Sequence, residues 1–196
     1  MRVGILALQG AFAEHAELLD TLGVRAELVR TPEHLAGLHG LILPGGESTS
    51  MRRLAGLCGL DSALRDFGAT RPVWGVCAGL ILLAARLEGE EPFLGLMDMG
   101  VARNAYGRQQ ESFVADLRLG GLEDTRPFPG VFIRAPRVVH AGAGVHVLAR
   151  LGDAPVALRQ GHLLATSFHP ELTSDSRMHV AFLELCANRR ALPESL

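Results

Sequence analysis

Cys77 stands in the sequence setting that best suits covalent catalysis. It follows the short apolar run Pro72–Val76 and lies between Gly75 and Gly79 in a G-x-C-x-G pattern. This is the sulfur counterpart of the G-x-S-x-G elbow, in which small residues let a buried strand and a helix pack around a strained turn. The helix dipole favours a thiolate there, and the Ala78 amide can face a developing oxyanion. For an isolated pattern of this kind, the alternative is a buried structural thiol.

A base for such a thiol is available at His169. A thiol nucleophile needs a neighbouring base, and the base needs a third group that fixes its tautomer. His169 and Glu171 follow the predicted strand Leu163–Phe168 and are separated by a single proline. Because Pro170 favours an extended conformation at His169, the two side chains are expected to project from the same face. The alternative is a strand-to-helix turn with polar residues, and no pattern proves that this segment meets Cys77.

A pair of glycines follows the predicted strand Leu41–Leu43. Open α/β sheets bind ligands at the carboxyl ends of their strands, and glycines let backbone amides approach a substrate closely. The N–H of Gly46 is therefore a candidate second donor to an oxyanion. Glu47 and Ser48 are candidate contacts for the ammonium and carboxylate groups of an amino acid. The alternative role of Ser48 or Thr49 is to cap the next helix, which is compatible with ligand binding.

The composition excludes several kinds of chemistry. The chain has 196 residues, of which 48% are hydrophobic and 20% charged, and its formal net charge is −2. These values predict a soluble globular protein without the basic surface that nucleic acid requires. All 19 basic residues are arginines. A chain without lysine can form no Schiff base and has no P-loop lysine.

The cysteines and the N-terminus predict a cytoplasmic protein. Cys58, Cys77 and Cys186 are far apart and form no C-x-x-C pair, so neither a zinc ribbon nor a redox motif is expected. Covalent acyl transfer by Cys77 is expected to need no metal or organic cofactor. Cys58 and Cys186 lack the elbow and are interpreted as inert thiols. The apolar stretch at the N-terminus is too short for a signal peptide and has no cleavage site, and no stretch of about 18 apolar residues predicts a membrane span.

The apolar periodicity predicts a single α/β domain over residues 1–196. Strands and helices alternate in the first half, which favours a mostly parallel sheet flanked by helices. The predicted strands there are Val3–Leu8, Val24–Val29, Leu41–Leu43 and Val73–Val76, and the predicted helices are Ala11–Leu22, Ser50–Phe67 with an interruption near Gly56–Gly59, and Ala78–Leu87. The second half predicts antiparallel additions and a closing helix. Those strands are Met97–Arg103, Ser112–Leu119, Gly130–Arg134, Val145–Ala149, Val156–Arg159 and Leu163–Phe168, and the helix is Ser174–Arg189.

Three motifs, Pro44–Thr49, Gly75–Gly79 and His169–Glu171, together resemble class I, triad-type glutamine amidotransferases. Further segments look like one family among them, the glutaminase subunit of pyridoxal 5′-phosphate synthase. These segments are Leu8–Gly10, Met51–Arg53, Arg103–Gln109, Gly130–Pro136 and Ser167–Leu172. The resemblance spans nearly the whole chain, and the combination of motifs is specific although each motif alone is not. The small departure at Ala105-Tyr106 affects no chemical group.

The resemblance implies a flavodoxin-like glutaminase fold, L-glutamine as the substrate and a map of the site. The triad positions fall on Cys77, His169 and Glu171. The glutamine-binding loop falls on Gly46, Glu47 and Ser48, and further glutamine-binding positions fall on Arg103, Ile133 and Arg134. For Arg103 and Arg134 the alternative is an ordinary salt bridge, and chemistry alone does not rank Arg52, Arg108 and Arg137 against them.

The resemblance also implies a partner, a (β/α)-barrel synthase subunit that builds pyridoxal 5′-phosphate from sugar phosphates and ammonia. Its covalent chemistry needs lysine, which this chain lacks. The glutaminase is expected to be weak until the synthase docks and sets the loop at Gly45–Gly46. Gln9, at the end of the first strand, is a candidate sensor of that partner.

The sequence is also compatible with other functions. The same triad serves glutaminases of histidine, guanine-nucleotide or anthranilate synthesis, which differ in their partner synthases. A non-catalytic or stress-response cysteine protein with a similar sheet is an alternative of another class, although such proteins lack the His-Pro-Glu segment. A plain interaction module would leave the three motifs as coincidence.

Overall fold

Strands and helices alternate through the first half of the chain, as predicted. A computed structural model describes residues 1–103, 112–121 and 124–188. The strands of these residues are β1 Val3–Leu6, β2 Glu27–Val29, β3 Gly40–Leu43, β4 Val73–Val76, β5 Ala84–Leu87, β6 Met97–Ala102, β7 Ser112–Leu117, β8 Phe128–Ile133, β9 Arg137–Ala141, β10 His146–Leu151, β11 Ala154–Gln160 and β12 Leu163–Thr166. Their helices are α1 Phe12–Thr21, α2 Ser48–Leu57, α3 Leu60–Thr70, α4 Ala78–Leu83 and α5 Arg177–Asn188, with short 3₁₀ helices at Pro32–Leu35 and Pro170–Leu172.

A seven-stranded sheet forms the central layer, in the order β10-β11-β12-β4-β3-β1-β2. The pairs from β12 to β2 are all parallel, whereas β10, β11 and β12 are joined by antiparallel pairing. The strands β5, β6 and β9 form a smaller sheet, and β7 and β8 form a two-stranded ribbon. The prediction of a mostly parallel sheet with antiparallel additions is therefore confirmed.

The segments that carry the candidate site residues lie at one edge of the parallel sheet. The neighbouring strands β12, β4, β3 and β1 run in the same direction, so their carboxyl ends lie side by side. His169 follows β12, Cys77 follows β4, Gly45 follows β3 and Gln9 follows β1. A crevice at the carboxyl ends of parallel strands is where such sheets bind ligands.

One helix was predicted too long, and one strand was missed. The predicted helix Ala78–Leu87 ends at Leu83, and its last four residues form β5, which pairs with β6. A continuous apolar run does not distinguish a buried helix from a buried strand, and the backbone turns extended at Ala84, with φ −61° and ψ 137°. The strand Arg137–Ala141 was not predicted, because its one fully buried residue, Val138, gives no alternating pattern.

The core lies on both faces of the central sheet. One cluster packs the sheet against α2, α3 and α4, and the other packs it against α1, α5 and the β7–β8 ribbon. Trp74 in β4 is fully buried in the second cluster, and its indole N–H donates to Thr166 on β12 at 3.2 Å. This bond ties together the two strands that deliver Cys77 and His169. Among the described residues, no helix has the length and apolar character needed to span a bilayer.

Candidate active site

Cys77 sits in a sharp turn between β4 and α4. Its backbone has φ 49° and ψ −100°, a left-handed conformation that non-glycine residues rarely adopt and that requires support from the surrounding structure. The flanking glycines are required sterically. A Cβ at Gly75 would collide with the backbone of Gly79, and a Cβ at Gly79 would collide with the carbonyl of Leu43. The predicted elbow is therefore present in the structure.

Hydrogen bonds hold the elbow from two sides. The backbone N–H of Cys77 donates to the carbonyl of Thr166 on β12 at 2.8 Å. The thiol points to the carbonyl of Ile133, with a sulfur–oxygen distance of 3.9 Å. The residue is only 7% exposed, and it lines a cavity. As the first helical residue of α4, Ala78 has a backbone N–H that no residue of its own helix can accept.

His169 and Glu171 are buried and directly hydrogen-bonded. Nδ1 of His169 is 2.6 Å from Oε1 of Glu171. The prediction that these side chains are neighbours is confirmed, but the predicted extended conformation of the segment His169–Glu171 is wrong. Pro170 begins a 3₁₀ helix, and His169 precedes it with φ −106° and ψ 88°. Proline favours the first position of a helical turn, where its missing N–H is not needed. This segment therefore forms both the strand-to-helix turn, which was the alternative, and the predicted histidine–glutamate pair.

The charge on His169 is set by its two partners. Burial alone would lower the pKa of the ring, but hydrogen bonds to Cys77 and Glu171 and their negative charges outweigh burial and raise the pKa of His169. The ring is therefore favoured as an imidazolium between a sulfur and a carboxylate. A histidine with a cysteine sulfur and an orienting carboxylate as partners has the composition of a Cys-His-acid triad.

The glycine loop after β3 is fixed by the segment that follows β1. The N–H of Ala11 donates to the carbonyl of Gly45 at 2.9 Å, and the N–H of Glu47 donates to Oε1 of Gln9 at 2.7 Å. Because a trans peptide points its N–H opposite to its carbonyl, the N–H of Gly46 is directed away from Ala11. Within the described residues, that N–H has no hydrogen-bond partner.

Glu47, rather than Ser48 or Thr49, caps helix α2. Its carboxylate accepts from the backbone N–H groups of Thr49 at 2.9 Å and Ser50 at 2.7 Å. Burial opposes the charge, but these hydrogen bonds outweigh it and lower the pKa of Glu47 to about 2. Glu47 is thus an anion at the rim of the site, with about half of its side chain exposed. The alternative role of Ser48 or Thr49 as the helix cap is therefore wrong.

Arg103 lies among acidic side chains at the same rim. Its guanidinium donates to Oε1 of Glu90 at 2.5 Å, to Oγ1 of Thr49 at 3.1 Å and to Oε1 of Glu47 at 3.4 Å. The salt-bridge alternative therefore describes Arg103 in this structure. Glu90 also pairs with Arg52 at 3.2 Å. No sequence signal identified Glu90, because only the fold brings this loop residue to α2.

A cavity of about 410 Å³ connects these groups. This volume falls in the range of small-molecule sites. Its walls are formed by Gln9, Gly46, Glu47, Ser48, Cys77, Ala78, Ile81, Arg103, Ile133, Arg134, Pro136 and His169. Every predicted site residue except Glu171, which lies behind His169, therefore lines one cavity. Sequence reasoning missed Ile81 and Pro136 as wall residues, and an apolar side chain in a helix or after a strand carries no signal of such a role.

The remaining arginines are distributed differently. Arg134 lines the cavity and has a φ of 42°, a second left-handed residue beside Cys77. Arg52 and Arg137 do not line the cavity, and Arg108 lies outside the described residues, as does the rest of the run 104–109. Within the described residues, no group of three or more His, Cys, Asp or Glu side chains has an arrangement that could hold a metal ion.

Comparisons with known proteins agree on one family. The model of the SNO glutamine amidotransferase family matches residues 5–188. The pyridoxal 5′-phosphate synthase subunit PdxT of Geobacillus kaustophilus is 54% identical over 187 residues, which cover 94% of both chains. The protein of the same name from Deinococcus radiodurans is 52% identical over 196 residues, covering 96% of this chain and 99% of the relative.

Solved structures share the same fold. A crystal structure described as a glutamine amidotransferase has a TM-score of 0.88 and 53% sequence identity, and the match covers 94% of this chain and 98% of the other. The PurLQS structure from Thermotoga maritima has a TM-score of 0.67 at 15% identity, covering 93% of this chain and 97% of the other. The second likeness concerns the fold alone.

Proposed function

This chain belongs to the SNO glutamine amidotransferase family, and on that premise we propose that it hydrolyses L-glutamine to L-glutamate and ammonia. Relatives about half identical over nearly the full length are named as subunits of pyridoxal 5′-phosphate synthase, so the ammonia passes to the synthase subunit of that complex. The observation that carries the proposal is Cys77, held in a strained elbow against a histidine that Glu171 orients at 2.6 Å.

The first half of the reaction forms a thioester. The Cys77 thiolate attacks the side-chain amide carbon of glutamine, and the carbonyl electrons move onto the oxygen. The N–H groups of Gly46 and Ala78 donate to this oxyanion, and the position of both residues in the cavity wall supports this role. When the carbonyl re-forms, the carbon–nitrogen bond breaks and the His169 imidazolium protonates the leaving nitrogen. Ammonia leaves, and the glutamyl group stays on the sulfur.

The second half hydrolyses the thioester. His169, now neutral, takes a proton from water as the water oxygen attacks the thioester carbon. The resulting oxyanion uses the same two amides and then collapses with cleavage of the carbon–sulfur bond. Glutamate leaves, and the thiolate and imidazolium are restored. Glu171 holds the ring in one orientation through both halves because its hydrogen bond to Nδ1 leaves Nε2 for the reacting groups.

Charged groups at the rim select the amino-acid end of glutamine. Glu47 is an anion with a pKa of about 2, which suits the α-ammonium group. Arg103 presents a guanidinium to the same cavity and pairs with the α-carboxylate, with Ser48, Ile133 and Arg134 completing the wall. Arg103 already contacts Glu47 and Glu90. When glutamine binds, its α-carboxylate therefore replaces a protein carboxylate at this guanidinium.

The product requires a partner. Ammonia released into water becomes ammonium and loses its nucleophilic lone pair. The protein that uses the ammonia must therefore bind at the edge of the glutaminase active site. We assign that role to a (β/α)-barrel synthase subunit, whose Schiff-base chemistry needs the lysine that this chain lacks. Residues 1–196 then form one glutaminase domain that acts in the cytoplasm. Docking sets the loop at Gly46, and Gln9 senses it through its bond to Glu47.

Isotope transfer tests the coupling to the partner. The chain and its cognate synthase are supplied with sugar phosphates, glutamine carrying nitrogen-15 in its amide, and an excess of unlabelled ammonium. We expect the label in pyridoxal 5′-phosphate at a proportion well above that of the solvent ammonium. A product whose label merely matches the mixed solvent pool would reject delivery to the synthase.

A further inference from the structure

Two buried histidines lie behind the carboxylate of Glu171. His15 belongs to α1 and His179 to α5, and neither side chain is exposed. Nε2 of His15 is 3.6 Å from Oε2 of Glu171, the oxygen that His169 does not use. Nδ1 of His15 is 2.9 Å from Nε2 of His179. Cys77, His169, Glu171, His15 and His179 therefore form one continuous line from the cavity to α5.

One contact in this line, between Nε2 of His15 and Oε2 of Glu171, is longer than a full hydrogen bond. In residues 1–103, 112–121 and 124–188, four buried side-chain nitrogen or oxygen atoms have no partner, and three of them are Nε2 of His15, Oε2 of Glu171 and Nδ1 of His179. An unpaired donor and an unpaired carboxylate oxygen in the interior are strongly destabilising. The separation exceeds a normal N–H···O bond by only about 0.7 Å. A small rotation of either side chain therefore completes the bond.

We infer that His15 is a positioning residue of the triad, whose Nε2–H donates to Oε2 of Glu171 and fixes the carboxylate that orients His169. This inference rests on the proposed function, because His15 acts only through Glu171 and His169. His15 does not line the cavity. Its loss should therefore lower kcat and leave the KM for glutamine unchanged.

The tautomer of each ring follows from the carboxylate. An ionised carboxylate only accepts hydrogen bonds, so the nitrogen of His15 that faces it must carry the proton. Nδ1 of a neutral His15 is then bare and accepts from the Nε2–H of His179. Burial, with smaller effects of His179 and His169, lowers the pKa of His15 well below its usual range, and burial lowers the pKa of His179 to about 4. Both rings are therefore neutral near pH 7.

The indole of Trp74 holds the two rings in place. Its ring centroid lies 4.9 Å from that of His179 and 5.7 Å from that of His15, with interplanar angles of 74° and 76°. These edge-on contacts restrict the orientation of each imidazole ring. Trp74 belongs to β4, the strand that Cys77 directly follows. The nucleophile and the support of its base are therefore built on the same strand.

Histidine NMR of the wild-type protein tests the contact without any variant. The nitrogen-15 shifts of the ring nitrogens report which one is protonated. At pH 7 we expect His15 and His179 to be neutral and protonated on Nε2 alone. A His15 protonated on Nδ1 would place two lone pairs between His15 and Glu171 and would overturn the inference.

A pair of amide variants separates the contact to Glu171 from packing. In His15→Gln the amide nitrogen reaches the position of Nε2 and can still donate to Glu171. In His15→Asn the shorter amide reaches only the position of Nδ1 and keeps the contact to His179. His162→Asn is the matched control, since that part-buried ring contacts the carbonyl of Gly68 at 2.8 Å, outside the line.

Glutamine hydrolysis is then measured with the synthase present. We expect the asparagine variant to lose kcat by about 10- to 100-fold at constant KM, and the glutamine variant to stay within about threefold of wild type. Equal losses in both variants, a retained kcat in His15→Asn, or a loss expressed in KM would overturn the inference.

If the asparagine variant is unfolded by circular dichroism, a folded His15→Gln with a tenfold or greater loss of kcat would overturn it instead. A wild-type complex that releases no glutamate would reject the proposed function, and the tautomer measurement would still decide the contact.

Discussion

Each residue of the proposed triad is constrained by a different physical effect. Cys77 is constrained by backbone strain, since its φ of 49° is held by close packing of Gly75 and Gly79. His169 is constrained by charge, because Cys77 and Glu171 raise its pKa against the effect of burial. Glu171 is constrained by burial itself, since a carboxylate away from water needs donors on both oxygens. The three effects act together only when all three side chains are present.

Glu171→Gln isolates the charge of the orienting group. The amide keeps the size of the side chain but removes the negative charge that favours the imidazolium, so the pKa of His169 should fall. We expect kcat for glutamine hydrolysis to drop by about 100-fold or more, as in other triads that lose the acid. The measurements are glutamate release with the synthase present and NMR titration of His169. Glu184→Gln, at an exposed position of α5, is the control. An unchanged His169 titration would contradict this account.

At the scale of elements, α1 and α5 meet through a neutral histidine pair against β4. Both helices pack in the same core cluster, and the fully buried rings of His15 and His179 contact each other. Such a pair is stable only while both rings are uncharged. The helices that support the triad are therefore sensitive to acid.

This sensitivity predicts a loss of stability as the pH falls. His179 has a folded pKa of about 4, below the ordinary value of 6.5, so the unfolded chain binds more protons between these values. Its contribution is fully present above about pH 6.5 and is lost as the pH falls through the folded pKa. At pH 5 the loss from His179 alone is about 2 kcal/mol relative to pH 7. Urea unfolding of wild type and His179→Phe at the two pH values measures it. The same pH dependence in both proteins would contradict the estimate.

At the scale of the whole molecule, the sheet brings four strand ends to one edge and leaves a cavity there. The rim carries the loop of Gly45 and Gly46, which is tied to the segment after β1 by Gln9 and Ala11. A contact with another subunit at this edge can therefore move the loop. This is the physical basis for the proposed control of the glutaminase by its synthase.

Gln9→Ala tests that control. Removing the side-chain acceptor of the Glu47 N–H frees the loop from the end of β1. We expect weaker synthase binding or lower synthase-activated turnover, measured by titration calorimetry and by glutamate release. Gln160→Ala is the matched control, because Gln160 accepts from the N–H of Asp98 at 2.7 Å, away from the cavity. If binding and activated turnover both stay at the wild-type level, the proposed role of Gln9 is wrong.

Features encoded in short segments could be predicted from the sequence, and contacts between distant segments could not. The elbow at Cys77, the glycine loop and the His169–Glu171 pair each occupy a few consecutive residues, and the structure places all of them at one site. The parallel sheet followed from the alternation of apolar periods. The contact of His15 with Glu171 and the ion pairs of Glu90 depend on how the chain crosses over, which no local pattern encodes. The end of the helix after Cys77 was mispredicted for the same reason, since pairing of β5 with β6 decides where this helix ends.

The measurement that tests the central claim most directly is glutamate release by Cys77→Ala with the synthase present. Cys58→Ala, at a half-buried cysteine outside the cavity, is the matched control for loss of a thiol. We predict that Cys77→Ala releases no glutamate above the uncatalysed background while it still binds the synthase, and that Cys58→Ala retains wild-type turnover. Glutamate release by Cys77→Ala at the wild-type rate would contradict the assignment of Cys77 as the nucleophile and the mechanism built on it.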